Sequence, residues 1–261
     1  RSSRQARLTP AGTELLREGE RLLGEMDAVA NRVRRVATGW ESELTVAVDT
    51  VIARHPLMDL AHDFFEVAPQ TRLRIREEAL SGTLEALTSG QADLALGVAQ
   101  EQGTHPGIHH RPLGELGFVF AVAPHHPLAK GKEPLTDEVL LRHRAVAVAD
   151  SVSRGGGITV GLLAGQDVFT VPTMQAKLEA QLRGLGAGFL PEPMARPHLA
   201  AGRLVAREVA RPQRLVRPAY AWRDAGGTGG TGRALQWWLD RLERPATRKA
   251  LLQGHAGPRP A

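Results

Sequence analysis

From Pro10 to Pro56 the chain contains no proline, and within that stretch small or apolar residues return every seventh position. Leu15, Leu22, Val29 and Val36 form one series, and Gly12, Gly19, Met26 and Val33 form the other. Two such series make a single seam along a long α-helix, and a seam of that width is buried by a second helix. Thr9 can accept the N–H groups of the first turn, and Pro10 follows at the position where a missing N–H costs nothing. Gly39 supplies a stop. The spacing therefore predicts a dimerisation helix over 10–38, with Leu15, Leu22, Met26, Val29, Val33 and Val36 at its contact face. A helix packed on its own domain would show the same stripe; the length and the N-terminal position favour a partner helix. Two glycines on the seam weaken an isolated helix but let another backbone approach.

Beyond Gly39 the period changes. Residues 44–48 read as a buried strand, 56–67 as an amphipathic helix and 72–76 as a strand with one wetter face. A helix over 83–89 closed by Gly90 leads to a third buried strand at 93–98, and 118–122 is a further strand. A second set follows: a helix near 136–141, strands at 145–148 and 167–171, and a helix over 174–183. Residues 215–222 read as one interrupted strand and 233–242 as a closing helix. Strands alternating with helices at this spacing give an α/β fold with largely parallel pairing. With 261 residues, the chain is long enough for one large core or two smaller ones.

Composition removes several function classes. The chain has no cysteine, which excludes disulfides, thiolate nucleophiles and Cys-ligated zinc, and it fits a reducing, cytoplasmic setting. No run of apolar residues is long enough for a membrane span, and residues 1–5 lack the apolar core of a signal peptide. His109-His110 and His125-His126 are adjacent pairs, which suit no common metal spacing, so no metal is expected. The glycine runs at 155–157 and 226–232 lack the Lys-Ser/Thr of a phosphate loop, and no Gly-x-Ser-x-Gly elbow is present. An enzyme is not expected, and no cofactor is implied. The net charge of +5 points to an anionic partner, with Arg1, Arg4 and Arg7 clustered at the start.

In open α/β sheets, ligands bind beyond the carboxyl ends of the strands, where helix N-termini offer free N–H groups. That rule marks Asp49 and Thr50 after the first strand, Glu78 through Gly82 and Thr83 after the second, and Gly97, Val98 and Ala99 after the third. In the second set it marks Asp150 with Ser151, and Thr173. Thr50 and Thr173 can each bond a ligand oxygen or simply cap a helix. Asp49 can accept ligand N–H or hydroxyl donors, or cap the following helix; a carboxylate ligand would be repelled there. With Glu78 nearby, the expected ligand is rich in donors.

The opening Arg4-Gln5-Ala6-Arg7-Leu8-Thr9-Pro10-Ala11-Gly12 resembles the end of the winged helix-turn-helix of LysR-type transcriptional regulators. The likeness continues through the strand near Leu44 and through Gly90-Gln91-Ala92-Asp93-Leu94-Ala95-Leu96-Gly97. It extends to His126-Pro127-Leu128-Ala129 and to Gly184-Leu185-Gly186-Ala187-Gly188-Phe189-Leu190-Pro191. The motifs keep their order and spacing to about Leu242. The resemblance implies a two-lobed, type II periplasmic-binding-protein-like effector domain over 42–244, preceded by the dimerisation helix. Lobe I would be 42–122 with 204–244, lobe II 123–203, and 245–261 a C-terminal tail. It implies a transcriptional regulator that binds DNA as a homodimer or homotetramer and senses a small-molecule effector in the cleft, whose walls would include Phe189. Residues 1–9 would be the remnant of the wing, with Arg4 and Arg7 on DNA phosphates; the recognition helix is expected to be missing from this polypeptide. Asp49, the segment 144–150 and Trp237-Trp238-Leu239 resemble the subgroup that regulates purine and allantoin catabolism. The alternative use of the same fold is the solute-binding protein of a transport system, which needs no heptad helix.

Overall fold

A computed structural model describes residues 8–99, 105–152, 158–212, 214–223 and 231–255. The first helix, α1 (Pro10–Thr38), starts as the sequence predicts: the Thr9 hydroxyl accepts the Gly12 N–H at 3.1 Å. Leu15, Leu22, Met26, Val29 and Val33 stand 50% to 75% exposed on this single chain. The side chain of Val36 and all of Arg4 and Arg7 lie outside the described residues. The exposed side chains form an apolar stripe along α1 that no other described residue covers. No helix among the described residues is long and apolar enough to cross a membrane.

The first sheet is built from β1 (Glu43–Asp49), β2 (Arg72–Glu78), β3 (Leu94–Ala99), β4 (Ile108–Pro112) and β11 (Pro218–Arg223), in the order β2-β1-β3-β11-β4. β1 pairs in parallel with β2 and β3, and β11 runs antiparallel to β3 and β4. Alternation along β1 sends Leu44, Val46 and Val48 to one face and Ala47 to the other. The first face is covered by α2 (Arg54–Val67), α7 (Arg233–Leu242) and α8 (Pro245–Gln253), which bury Phe64, Trp238 and Leu251 against it. The second face takes the small α3 (Gly82–Thr88), and alanines on both sides let helix and sheet approach closely.

The second sheet centres on β5 (Leu116–Val122). It pairs antiparallel with β8 (Gly188–Pro191), with β10 (Leu215–Val216) near its start and with β9 (Val205–Ala206) at its end. The parallel pair β6 (Ala145–Val148) and β7 (Val168–Val171) joins β8 where Val146 N–H donates to the Ala187 carbonyl at 2.9 Å. α4 (Asp137–Leu141), α5 (Met174–Leu182) and α6 (Glu192–Ala200) complete this part.

Three differences from the sequence reading have physical causes. Residues 116–122 and 205–206, which the resemblance placed with the first lobe, pair in the second sheet, because an apolar run reveals a strand but not its partner. The single strand expected at 215–222 splits at Arg217: residues 215–216 pair with β5, and Pro218 onward pairs with β3 and β4. The chain crosses between the sheets there and again at 113–115. The expected tail contains α8, with Pro245 in its first turn and Leu251 and Leu252 buried on the first lobe.

Candidate functional site

The parallel register of β1 and β2 sets Asp49 directly opposite Glu78 at the carboxyl ends of both strands. Asp49 is buried, and its carboxylate accepts two backbone N–H groups, Val51 on Oδ1 and Leu80 on Oδ2, each at 2.9 Å. Burial pushes the Asp49 carboxyl up to about 7; the two N–H donors pull against that, and the charges of Asp150 and Glu77 add to it. Leu80 adopts φ 55, the left-handed region that costs a non-glycine residue about 1 kcal/mol or more. Its bond to Asp49 holds it there. Gly97 lies on the other side of Asp49 with φ +95, and a side chain at that position would begin 2.6 Å from Asp49 Cβ.

The second lobe meets this turn through the residues after β6. Ser81 N–H donates to Asp150 Oδ1 at 3.1 Å, and Ala79 N–H donates to Ser151 Oγ at 2.9 Å. The Ser151 hydroxyl donates to Glu78 Oε2 at 2.7 Å, while Arg76 holds the other Glu78 oxygen at 2.8 Å. Asp150 is fixed in turn by the Val152 and Ile158 N–H groups. Gly82 begins α3 with no clearance: a methyl group there would collide with Ser151 Oγ and lie 2.9 Å from Glu78 Oε2. Residues 78–82 and 150–151 therefore form a hydrogen-bonded junction between the lobes, with a strained residue at its centre.

Of the residues marked in the sequence, Asp49, Glu78, Gly82 and Asp150 come together in this junction. Thr50 adjoins it, its N–H bonded to the Glu78 carbonyl at 3.0 Å. Thr83 is fully buried and donates to the Leu80 carbonyl at 3.2 Å, so its hydroxyl serves the turn itself. Thr173 caps α5, accepting the Ala176 N–H at 3.0 Å. Val98 is buried and pairs with Ala219, whereas Ala99 is exposed at the end of β3. Phe189 lies inside the second lobe, edge-on to Phe120 with ring centroids 5.4 Å apart. No group of three His, Asp or Glu side chains among the described residues is placed to hold a metal ion.

Three candidate residues, Leu80, Lys177 and Gln181, escaped sequence reasoning. The strained Leu80 arises from docking and leaves no trace in residue type. Lys177 and Gln181 do leave one: with Met174 and Leu178 they occupy the i, i+3, i+4, i+7 stripe that α5 turns inward, so two polar residues sit where apolar ones belong.

Comparison with known proteins adds the family context. The LysR substrate binding domain matches residues 37–245. The uncharacterized HTH-type transcriptional regulator YeeY of Escherichia coli strain K12 is 35% identical over 243 residues, covering 93% of this chain and 77% of that protein. The HTH-type transcriptional activator AllS of Klebsiella pneumoniae is 31% identical over 207 residues, 79% of this chain and 77% of that protein. Among solved structures, the full-length LysR-type regulator LysG of Corynebacterium glutamicum with bound effector Arg matches with a TM-score of 0.58 and 20% identity. That match covers 93% of this chain and 79% of LysG. At that identity, the match is one of fold.

Proposed function

Because the chain belongs to the LysR-type transcriptional regulators, we propose that it senses a small polar metabolite at the junction of its two lobes and transmits the change through α1. The family consists of regulators rather than enzymes, and its sensing domain has the two-lobed, type II periplasmic-binding-protein-like fold. A solute-binding protein of a transport system is not favoured for a chain with these relatives. In this proposal the protein works in the cytoplasm on DNA, as a homodimer or homotetramer joined through the exposed stripe of α1, with Val36 completing the seam. Arg4 and Arg7 contact phosphates and position the protein without reading sequence.

The observation that carries the sensing role is the strained turn at Leu80, held by Asp49 from the first lobe while its neighbours Ala79 and Ser81 bond Ser151 and Asp150. An effector acts by binding one arrangement of the lobes more tightly than another. A junction built on several hydrogen bonds is a place where a small ligand can supply that difference. A carboxylate has about four lone-pair sites, and Asp49 uses two of them on backbone N–H groups. The remainder, with Glu78 and Asp150, favour a ligand rich in N–H and O–H donors, such as a nucleoside or a ureide. Thr50, Gly97, Val98, Ala99 and Thr173 are proposed as further walls of the site, whereas Phe189 packs inside the second lobe.

Thermal unfolding against a panel of nucleosides, purine bases and ureides tests this reading. A ligand that binds the native state raises the midpoint as RT ln(1 + [L]/Kd). A nucleoside or ureide is expected to raise it in the wild type and to lose that effect in Asp49→Ala. A panel with no response, or a response unchanged in Asp49→Ala, would overturn the assignment.

A further inference from the structure

The second lobe contains a charge that its fold does not explain. Lys177 is 7% exposed and Gln181 is fully buried, both on the inward face of α5. Both atoms of the Gln181 amide lack a hydrogen-bond partner. Among the described residues no carboxylate pairs with the Lys177 ammonium; its charged neighbour is Arg214, a second cation. Burial, and then Arg214, hold the Lys177 ammonium down to about 8. Arg214 is itself drawn in, its guanidinium 5.0 Å over the Phe118 ring and its pKa lowered by burial. Turning the Gln181 amide so that its oxygen faces Lys177 would satisfy one N–H but leave the charge uncompensated.

Lys177 lines a cavity, and Gln181 and Arg214 stand behind two of its glycines, Gly188 and Gly161. Its other walls include Phe120, Val146 and Phe189. Lys177 Nζ and Gln181 Nε2 both converge on Gly188, each 3.2 Å from where a side chain there would begin. On the Gly161 side, Arg214 Nη1 stands at 3.5 Å by the same measure, and Phe189 at 3.6 Å. Among the described residues the lining includes no carboxylate, and Arg211, its other cation, is neutralised by Asp137 at 2.6 Å. Buried charges in proteins are paired or used, since leaving one bare is costly. A cavity with a buried ammonium among aromatic and aliphatic walls complements a small organic acid rather than a fully hydrated inorganic ion.

We propose that Lys177, Gln181 and Arg214 form a carboxylate-binding site inside the second lobe, which holds a small organic acid with its carboxylate on Lys177 and its carbon skeleton against Phe120 and Phe189. The site is separate from the Asp49 junction, where a carboxylate is disfavoured, and it does not depend on the role given to Asp49.

The test is calorimetric titration of the protein with acetate, butyrate and benzoate, and with sulfate and chloride at matched ionic strength. The wild type, Asp49→Ala, Lys177→Met and Arg214→Gln are compared. A monocarboxylate with an apolar body is expected to bind the wild type and Asp49→Ala alike, at least tenfold more weakly to Lys177→Met, and severalfold more weakly to Arg214→Gln. Lys177→Met should melt no lower than the wild type, which separates lost binding from lost folding. In the wild type, the side-chain NMR signal of Lys177 should titrate at higher pH when the acid is bound. Equal binding of the acids to Lys177→Met would overturn the proposal. So would binding no stronger than that of chloride, or sulfate binding tighter than every carboxylate.

Discussion

In the first lobe the buried side chains of Asp49, Thr71, Glu78 and Thr83 each have a hydrogen-bond partner, whereas in the second lobe, among the described residues, both amide atoms of Gln181 lack one and no carboxylate pairs with Lys177. The first lobe's orphans are milder, the indole N–H of Trp238 and one ring nitrogen of His255. Its core is also the larger of the two, running from Leu44 through Phe64 and Tyr220 to Trp238 and Leu252. The difference assigns labour. A lobe whose buried carboxylates are hydrogen-bonded internally is a scaffold, and its Asp49–Leu80 turn is strained only because the scaffold can hold it. A lobe that buries an ammonium with no carboxylate partner among the described residues gives up stability, which is expected where a ligand supplies the missing partner.

The largest test of this contrast lies in the scaffold. Trp238→Ala removes a fully buried indole that packs on Phe64 with ring centroids 6.0 Å apart. It should cost about 3–5 kcal/mol in denaturant unfolding. A loss under about 1 kcal/mol would break the view of the first lobe as the rigid part.

Next is the pH dependence that Asp49 imposes. Its folded value of about 7 stands above the ordinary 3.8, so between those values the native state keeps a proton that the unfolded state has released. Stability should therefore fall as pH rises from about 4 to about 7, by at most about 1.4 kcal/mol per unit from this group. Unfolding curves at pH 5 and 7 should show that slope in the wild type and a flatter one in Asp49→Asn. Equal slopes would mean the carboxyl is already ionised at pH 5.

Lys177→Met should act in the opposite direction, stabilising the protein at pH 7 by about 1 kcal/mol, because an unpaired buried charge is replaced by a side chain of similar length. Lys177 is held at about 8, against an ordinary 10.5. Between these values the unfolded state binds the extra proton, so wild-type stability gains with pH there and the advantage of the variant shrinks. A variant less stable than the wild type at pH 7 would mean that Lys177 has an internal partner. The smallest effect on folding belongs to Leu22→Ser on the exposed stripe of α1, expected within about 0.5 kcal/mol. The same change should weaken self-association in sedimentation, and unchanged association would remove α1 from the proposed dimer.

What the sequence reveals and what it hides follow from the same contrast. Continuous apolar runs mark β1, β3 and β6, because strands buried on both faces need them. β4 carries Ile108-His109-His110-Arg111-Pro112 with no such pattern; it exists because β11 offers it a ladder and Glu243 pairs with Arg111. Likewise the two-residue β9 and β10 are defined by β5 rather than by their own residues. At the site, the strand-end rule finds Asp49, Glu78 and Asp150. The positive φ of Leu80 and the seat of Ser151 against Gly82 belong to the docking of the lobes and to no single residue. Lys177 was legible as a violation of the α5 stripe, since helical periodicity places it among Met174 and Leu178.

The most direct test of the sensing claim is amide hydrogen exchange at Leu80 and Ser81, whose N–H groups bond Asp49 and Asp150, with and without a stabilising nucleoside or ureide. Ligand binding is expected to change protection across 79–82 and 150–152 together, since the two segments form one hydrogen-bonded unit. A ligand that binds and stabilises the protein while leaving protection in both segments unchanged would contradict the sensing claim.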